Sequence, residues 1–407
     1  MLFDKILVCE NEEKVLNKKN IAQLAFRFVL TIGVVNFFAD FTYEGARSIN
    51  GAFLSSLGAS AAAVGFIAGF GELIGYGLRS ITGFFASKTH KYWIFTLVGY
   101  AINMLAVPAM ALAGNWPMAA GLIIAERAGR ALRKPSVETM LSFAGKQIGM
   151  GWVFGLNEFM DQFGATIGPL IVAWVLLSKN NYKYGYAVLL VSALLCLAMV
   201  LTARWLFPQP QELDKKEPVV LETRGFSRAY WLFVMGGALL AAGFADFALM
   251  AFHFYKTHQV PIVWIPVFYA IAMVTAGISA LIFGKLWDKF GPYIMVFVFA
   301  LGALFAPFVF WGNFTIILVG MVLWGIGMGA QESLLKATLS QMVSPDKRSV
   351  AFGVFDTAYG IAWFLGSAAM GILYTLSLPA MIVFSVVLQI IALPVLIMAI
   401  KVKTDRN

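Results

Sequence analysis

The sequence predicts an all-α integral membrane protein, with twelve transmembrane helices in two pseudo-symmetric six-helix bundles. Three observations carry that prediction. The chain is 60% hydrophobic and only 13% charged over 407 residues, about half the charged fraction of an ordinary soluble domain. Its apolar residues gather into runs long enough to cross a hydrocarbon layer of ~30 Å as helices. Short motifs of the first half also return, in order, in the second. The same numbers exclude other classes. Low charge with 15% aromatic residues is the opposite of a disordered composition. Two cysteines, Cys9 and Cys196, cannot staple a disulfide scaffold.

The apolar runs fall at 24–54, 61–85, 92–112, 117–132, 151–177 and 184–207, then at 230–254, 261–283, 293–311, 314–335, 350–374 and 378–400. Barrel strands would be alternating segments of ~10 residues, and these runs are longer and continuous. Residues 1–20 contain Asp4, Lys5, Glu10, Glu12, Glu13, Lys14, Lys18 and Lys19. They lack the apolar centre of a signal peptide and read as a cytoplasmic tail. The longest polar stretch, at 208–228, reads as a cytoplasmic linker. It separates bundles at 21–207 and 229–400, with a short tail at 401–407. Lys88, Lys91, Lys134, Lys146, Lys215, Lys216, Arg224, Lys285, Lys289 and Lys347 lie on one side of the spans. The other side has little beyond Lys179, Lys183 and Lys256. By the positive-inside rule both termini are cytoplasmic, in a cytoplasmic (inner) membrane, and the even span count agrees. The net charge of +9 is thereby explained by topology, with no nucleic-acid partner.

The repeat joins Phe38-Ala39-Asp40-Phe41 to Phe244-Ala245-Asp246-Phe247. It also joins Thr139-Met140-Leu141-Ser142 to Ala337-Thr338-Leu339-Ser340, and Gly155 and Gly168 to Gly353 and Gly366. The offset drifts from 206 to 198, as small differences in loop length produce. Each match is weak alone, but their order argues for related halves, an arrangement that puts a substrate site near the midplane between them.

The segment after the second span reads Gly83-Phe84-Phe85-Ala86-Ser87-Lys88-Thr89-His90-Lys91. Its counterpart reads Gly284-Lys285-Leu286-Trp287-Asp288-Lys289-Phe290-Gly291-Pro292. The second resembles the major facilitator superfamily signature G-x-x-x-D-[RK]-x-G-[RK], with Pro292 in place of the last basic residue. The first is degraded, with Ser87 for Asp and His90 for Gly. The resemblance implies the fold of that superfamily, secondary transport by alternating access, and cytoplasmic gate loops at Gly83, Lys88, Gly284, Asp288, Lys289 and Gly291. The bland alternative is a basic loop that only sets topology. In the fifth span Gly164-Ala165-Thr166-Ile167-Gly168-Pro169 resembles the G-x-x-x-G-P part of the family's antiporter motif, although Val172-Ala173 stand where a glycine pair often follows. Small residues four apart also suit plain helix packing, so Gly164, Gly168 and Pro169 are packing candidates first.

Ionisable groups at membrane depth are costly, ~2.5–3.5 kcal/mol each on insertion scales, and are functional candidates by default. In the first span Asn36, Asp40, Tyr43, Glu44 and Arg47 share one helical face. Glu72, Tyr76 and Arg79 do so in the second. Glu126, Arg127, Arg130 and Arg133 follow in the fourth, and Asn157, Glu158, Asp161 and Gln162 in the fifth. The second half adds Asp246, Glu332, Lys336 and Asp356. Asp40 and Asp246 are repeat-related. The proton-coupling and substrate-cavity candidates are Asp40, Glu44, Arg47, Glu72, Arg127, Glu158, Asp161, Asp246 and Asp356. Structural hydrogen bonds are the competing reading for each. Glu126 and Arg130 are spaced to pair. With Arg133 counted among the cytoplasmic-side cations, ten of the fourteen membrane-depth charges lie in the first half, which points to that half for coupling. Trp363 and Tyr359 could stack on a substrate or simply pack. His253 and His258 could sense pH or simply sit at the interface.

The expected function is secondary active transport of a small organic solute, with proton-coupled export by antiport as the leading form. Proton-coupled uptake by symport, in which Arg47 and Arg127 would hold an anionic substrate group, is the alternative. A lipid flippase and a non-transporting receptor are more distant ones. No Walker loop, HExxH or GxSxG is present, and the loops are too short for a catalytic domain, so an enzyme is not expected. The expected partners are the solute, protons and membrane lipid, for a monomer with no cofactor, no metal and no catalytic residues.

Overall fold

The computed structural model describes residues 2–148, 150–213, 225–343 and 348–404. These form α1 (Leu2–Ser56), α2 (Ala61–Thr89), α3 (Tyr92–Ala109), α4 (Trp116–Ile148), α5 (Met150–Lys179) and α6 (Tyr182–Leu206). They continue with α7 (Arg228–Gly243), α8 (Phe247–Thr257), α9 (Trp264–Phe290), α10 (Tyr293–Gly302), α11 (Phe305–Trp311), α12 (Phe314–Met342), α13 (Arg348–Leu376) and α14 (Leu378–Thr404). No strand occurs among the described residues. The protein is all-helical.

Among the described residues, eleven helical stretches are long and apolar enough to cross a membrane. The predicted fourth span is the exception. It lies in α4, which is long enough but carries Glu126, Arg127, Arg130, Arg133, Lys134 and Glu138. Those charges are tolerated because α4 is packed inside, against α1, α2, α3 and α5, with Glu126, Arg127 and Arg133 buried. α4 also runs on to Ile148 through Pro135, past the predicted end at 132. Proline at 135 cannot bond back to the carbonyl of Ala131. The Thr82 hydroxyl of α2 reaches that carbonyl at 2.9 Å.

Two predicted single spans are interrupted. The seventh consists of α7 and α8, separated at Phe244–Asp246, and the ninth of α10 and α11. A helix can break at membrane depth only where other groups satisfy the freed backbone. Here Ser385 and Gln389 of α14 donate to the Gly243 carbonyl at 2.6 and 3.1 Å. Trp324 Nε1 of α12 donates to the Ala245 carbonyl at 3.0 Å. The repeat partner Phe38–Phe41 stays helical inside α1, so identical quartets fold differently. At the start of the chain, residues 2–20 continue α1 without interruption. Much of the expected linker, at 214–224, lies outside the described residues.

The two halves meet along α2–α13, α1–α8 and α5–α9. At the end remote from the chain termini this contact is backbone-close. A Cβ on Gly51 would lie 1.8 Å from the Ala248 carbonyl oxygen, and one on Gly65 would lie 2.4 Å from that of Ser367. Within the first half, α5 lies on α1 in the same way. Cβ atoms on Gly164 and Gly168 would come 2.3 and 2.1 Å from the Phe37 and Phe41 carbonyl oxygens. Such small-residue seams maximise dispersion contact between helices that gain nothing from hiding apolar surface from lipid.

Candidate functional site

The membrane-depth charges converge because the polar faces of α1, α2 and α4 turn away from lipid toward one another. Arg47 of α1 is at the centre. Its Nη2 donates to Glu72 Oε1 of α2 at 3.0 Å and to Asp246 Oδ2 at 3.4 Å, and its Nη1 lies 3.7 Å from Glu44 Oε1. Glu72 Oε1 also lies 3.2 Å from Arg127 Nη2, and Arg127 Nε lies 3.3 Å from Glu126 Oε2. The Tyr269 hydroxyl of α9 donates to Glu44. Burial of an ion pair is costly unless its remaining lone pairs and protons are also satisfied, and here each charge meets more than one partner. Asp246 does double duty, since its Oδ1 accepts the Ala248 N–H at 2.9 Å as N-cap of α8.

The polar chain continues through Asn103, Arg133, Tyr100, Asn36 and Asn157. Asn103 Nδ2 donates to Glu126 Oε1 at 2.9 Å, and Arg133 Nε donates to Asn103 Oδ1 at 3.3 Å. Arg133 Nη1 donates to the Tyr100 hydroxyl at 3.1 Å, which donates to Asn36 Oδ1 at 2.5 Å. Asn36 donates to Asn157 at 2.6 Å, and Asn157 to Asp161 Oδ2 at 3.3 Å. The path from Asp246 to Asp161 is unbroken.

A cavity of about 690 Å³ lies beside this network, lined by α1, α4, α5, α9 and α12. Its inner wall holds Asp40, Glu44 and Arg47, all buried. Toward the end that carries the termini it is lined by Lys134, Glu158 and Lys336, the last two exposed. The cavity therefore reaches that end, and its wall along α5 and α9 also includes the exposed Phe159, Phe163, Ile278 and Leu281, while the opposite end is shut by the Gly51 and Gly65 contacts. A smaller pocket of about 80 Å³ adjoins it under α2 and α13 and shares Arg47, Arg130 and Lys336 with it.

The candidate residues from the sequence are thus distributed over three places. Glu44, Arg47, Glu72, Arg127 and Asp246 form the buried network. Asp40, Glu158 and Asp161 line the large cavity. Asp356 lines the small pocket, together with Tyr359 and Trp363. Asp40 and Asp246 occupy different environments despite their repeat relation. Glu126 pairs with Arg127 rather than with Arg130, whose guanidinium lies over the Tyr43 ring at 4.4 Å. His253 is buried, with Nδ1 2.8 Å from the Tyr374 hydroxyl.

The gate-loop candidates lie apart from the cavity. Gly284 is inside α9, and Gly291 ends that helix with φ +77°. Gly83 and Lys88 are in α2, whose C-cap is His90 at φ 54°. Lys88 and Lys289 are exposed. The Asp288 side chain lies outside the described residues. Sequence reasoning missed Asn103, Tyr100 and Tyr269, and it placed Lys134 in a loop. An asparagine in the middle of an apolar run was a usable signal for Asn103. Lys134 was hidden by Pro135, which reads as a helix end.

A sequence profile described as Major Facilitator Superfamily matches residues 32–367, with a further match over 267–406. The chain is 36% identical over 376 residues to an uncharacterized protein of Mycobacterium tuberculosis, covering 91% of this chain and 92% of that protein. It is 24% identical over 397 residues to an uncharacterized MFS-type transporter of Methanocaldococcus jannaschii, covering 92% and 95%. Among solved structures it is similar to a peptide transporter of the POT kind, with TM-score 0.71 at 15% identity over 95% of this chain and 98% of that one. It is also similar to a nucleoside transporter, with TM-score 0.69 at 13% identity over 93% and 99%.

Proposed function

The chain belongs to the Major Facilitator Superfamily, and from that premise we propose that it is a proton-coupled exporter of a small organic solute. It is a multi-pass membrane protein and a secondary transporter, not an enzyme. The proposal concerns coupling and direction. One observation carries it: a single guanidinium, Arg47, is shared by Glu44 and Glu72 of the first half and Asp246 of the second.

That sharing ties protonation to shape. Asp246 caps α8, and α8 closes the outer end against α1. A proton on Asp246 removes the attraction that crosses the halves and leaves Arg47 to the first-half acids. α8 is then free to part from α1, which opens the outer end. Loss of the proton restores the cross-half pair. Only a group that binds the two states differently can move such an equilibrium, and Asp246 qualifies because its partner is on the opposite half. Asp40, on the inner wall of the cavity, is proposed to hold a proton on the cytoplasmic side. The glycine–proline stripe at Gly164, Gly168 and Pro169 favours antiport by its resemblance to the family's motif.

Proton symport is the second reading, and one observation favours it. Arg79, Arg130, Lys134 and Lys336 line the cavities, and none forms an ion pair among the described residues. A cation already lining the cavity can receive an anionic solute while an acid beside it takes a proton.

Proteoliposomes with an imposed pH gradient test both readings. A panel of solutes is presented, and proton movement and solute movement are followed together. The proposal expects solute efflux with proton entry, abolished in Asp40→Asn and Asp246→Asn. Co-directional movement establishes the symport reading instead. Unchanged pH-driven transport in both variants removes these acids from coupling.

A further inference from the structure

Four N–H donors in one small region have no acceptor among the described residues. Arg47 Nε, Arg79 Nε, Arg130 Nε and Trp363 Nε1 are buried and without a hydrogen-bond partner, and all four residues line the pocket of about 80 Å³ between α2, α4, α12 and α13. Arginine and tryptophan side chains only donate, so a protein acceptor would have to be brought to them. A buried donor left without an acceptor is unfavourable, so an incoming acceptor is favoured here. Arg47 and Trp363 are more than nine-tenths buried, at 6% and 4% exposed.

The charge at this pocket has the same sense. Arg47, Arg79, Arg130, Lys134 and Lys336 face Glu72, Glu332 and Asp356. Glu72 is already engaged by Arg47 and Arg127. Four of the five cations make no ion pair among the described residues. The other walls are aromatic. Tyr76 and Trp363 lie with ring centroids 6.5 Å apart and planes 29° apart. Tyr359 meets both edge-on, at 5.8 and 5.6 Å. The Tyr359 hydroxyl is tied to Gln331 Oε1 at 2.5 Å, which fixes that ring. The pocket is too small for a whole solute, but it is continuous with the 690 Å³ cavity through shared lining residues.

We propose that this pocket is the anion subsite of the transport cavity, and that the solute is an aromatic carboxylate. Its carboxylate is received by Arg79 and Arg130, whose planar forks suit a two-oxygen acceptor. Trp363 Nε1 supplies a third, neutral donor. Its ring lies against Tyr76 and Trp363, and the rest of the molecule extends into the large cavity. The inference rests on the transporter reading only for its biological meaning, since binding itself requires no transport.

Equilibrium binding of benzoate to the purified full chain in detergent tests it, with benzylamine and cyclohexanecarboxylate as comparators. Benzoate is expected to bind more tightly than cyclohexanecarboxylate, and benzylamine not to compete. Arg79→Gln is expected to weaken benzoate by about tenfold or more. Trp363→Phe keeps an aromatic ring but loses the N–H together with the five-membered part of the indole, so it should weaken binding by at least about 3–10-fold, the worth of the neutral hydrogen bond alone. Arg79→Lys keeps the charge without the fork and should fall between Arg79→Gln and the parent. Arg204→Gln, at an exposed residue bonded to the Pro208 carbonyl, serves as the control. Unchanged thermal unfolding certifies that each variant is folded. Benzylamine binding in place of benzoate overturns the proposal. So does benzoate binding that none of the pocket variants alters, or no benzoate binding at about 10 mM. A protein that binds benzoate in this way but moves no protons loses the coupling reading and keeps this one. A protein that couples protons to other solutes and ignores carboxylates does the reverse.

Discussion

Asp246 places its two oxygens in two tasks, one on the first turn of α8 and the other on Arg47. The tasks can be separated. Asparagine caps a helix about as well as aspartate but brings no charge to Arg47. Asp246→Asn should therefore unfold at nearly the parent temperature and lose at least tenfold in pH-driven transport. Asp246→Ala should lose the cap as well, and about 1 kcal/mol of stability with it. Parallel thermal unfolding and proteoliposome assays measure both; equal loss of stability in the two variants would mean the cap is not what Asp246 supplies. The residue was legible as a candidate from its type and its repeat partner. Its two jobs were not, because one depends on a helix break and the other on a residue of the opposite half. His90 offers a contrast. It takes the left-handed conformation, with φ 54° and ψ 18°, at the position matched by Gly291, which also has a positive φ but a ψ of −172°, and a side chain in the left-handed region is strained. His90→Gly should raise stability by about 0.5–1 kcal/mol, read from the unfolding midpoint in detergent.

Helices show the same boundary between local and borrowed information. Most spans were legible because an apolar run of the right length has one good fate in a bilayer. The charged α4 was legible in the same way, as the apolar run at 117–132, and its arginines and glutamate marked it as a candidate for the site. The reach of α4 past Pro135 was not legible, since the compensating Thr82 belongs to α2. The break between α7 and α8 was equally hidden, because Ser385, Gln389 and Trp324 come from α14 and α12. Thr82 makes this testable. Its hydroxyl is also within reach of the Leu78 carbonyl in its own helix, so the bond to Ala131 is partly shared. Thr82→Val keeps the shape and removes the donor, and it should cost about 0.5–1.5 kcal/mol. Thr82→Ser keeps the donor and should cost less. If the valine variant is as stable as the parent in chemical unfolding, the Ala131 carbonyl has another partner.

At the scale of the whole molecule, one end of the seam between the halves is closed by contacts that only glycine permits. Gly51 faces the backbone of Ala248, and an added methyl would sit 1.8 Å from its carbonyl oxygen. Backbone cannot swing aside as a side-chain tip does, so α8 must move away from α1. The methyl is harmless in a state whose outer end has already parted. Gly51→Ala therefore taxes the observed state and spares the opposite one. A shift from 99:1 to 1:99 needs about 5.5 kcal/mol, and a backbone clash of this size is ample to reverse a modest preference. Two reporters read the outcome in a chain carrying Cys9→Ser and Cys196→Ser. Leu54→Cys lies at the closed end and is buried, while Ser333→Cys lines the open cavity. Gly51→Ala should raise maleimide labelling at the first and lower it at the second. A rise at both sites would signal loosening of the fold rather than a change of state. No change at either would mean that the outer end is held shut elsewhere, which would leave the Arg47–Asp246 pair without the mechanical consequence assigned to it.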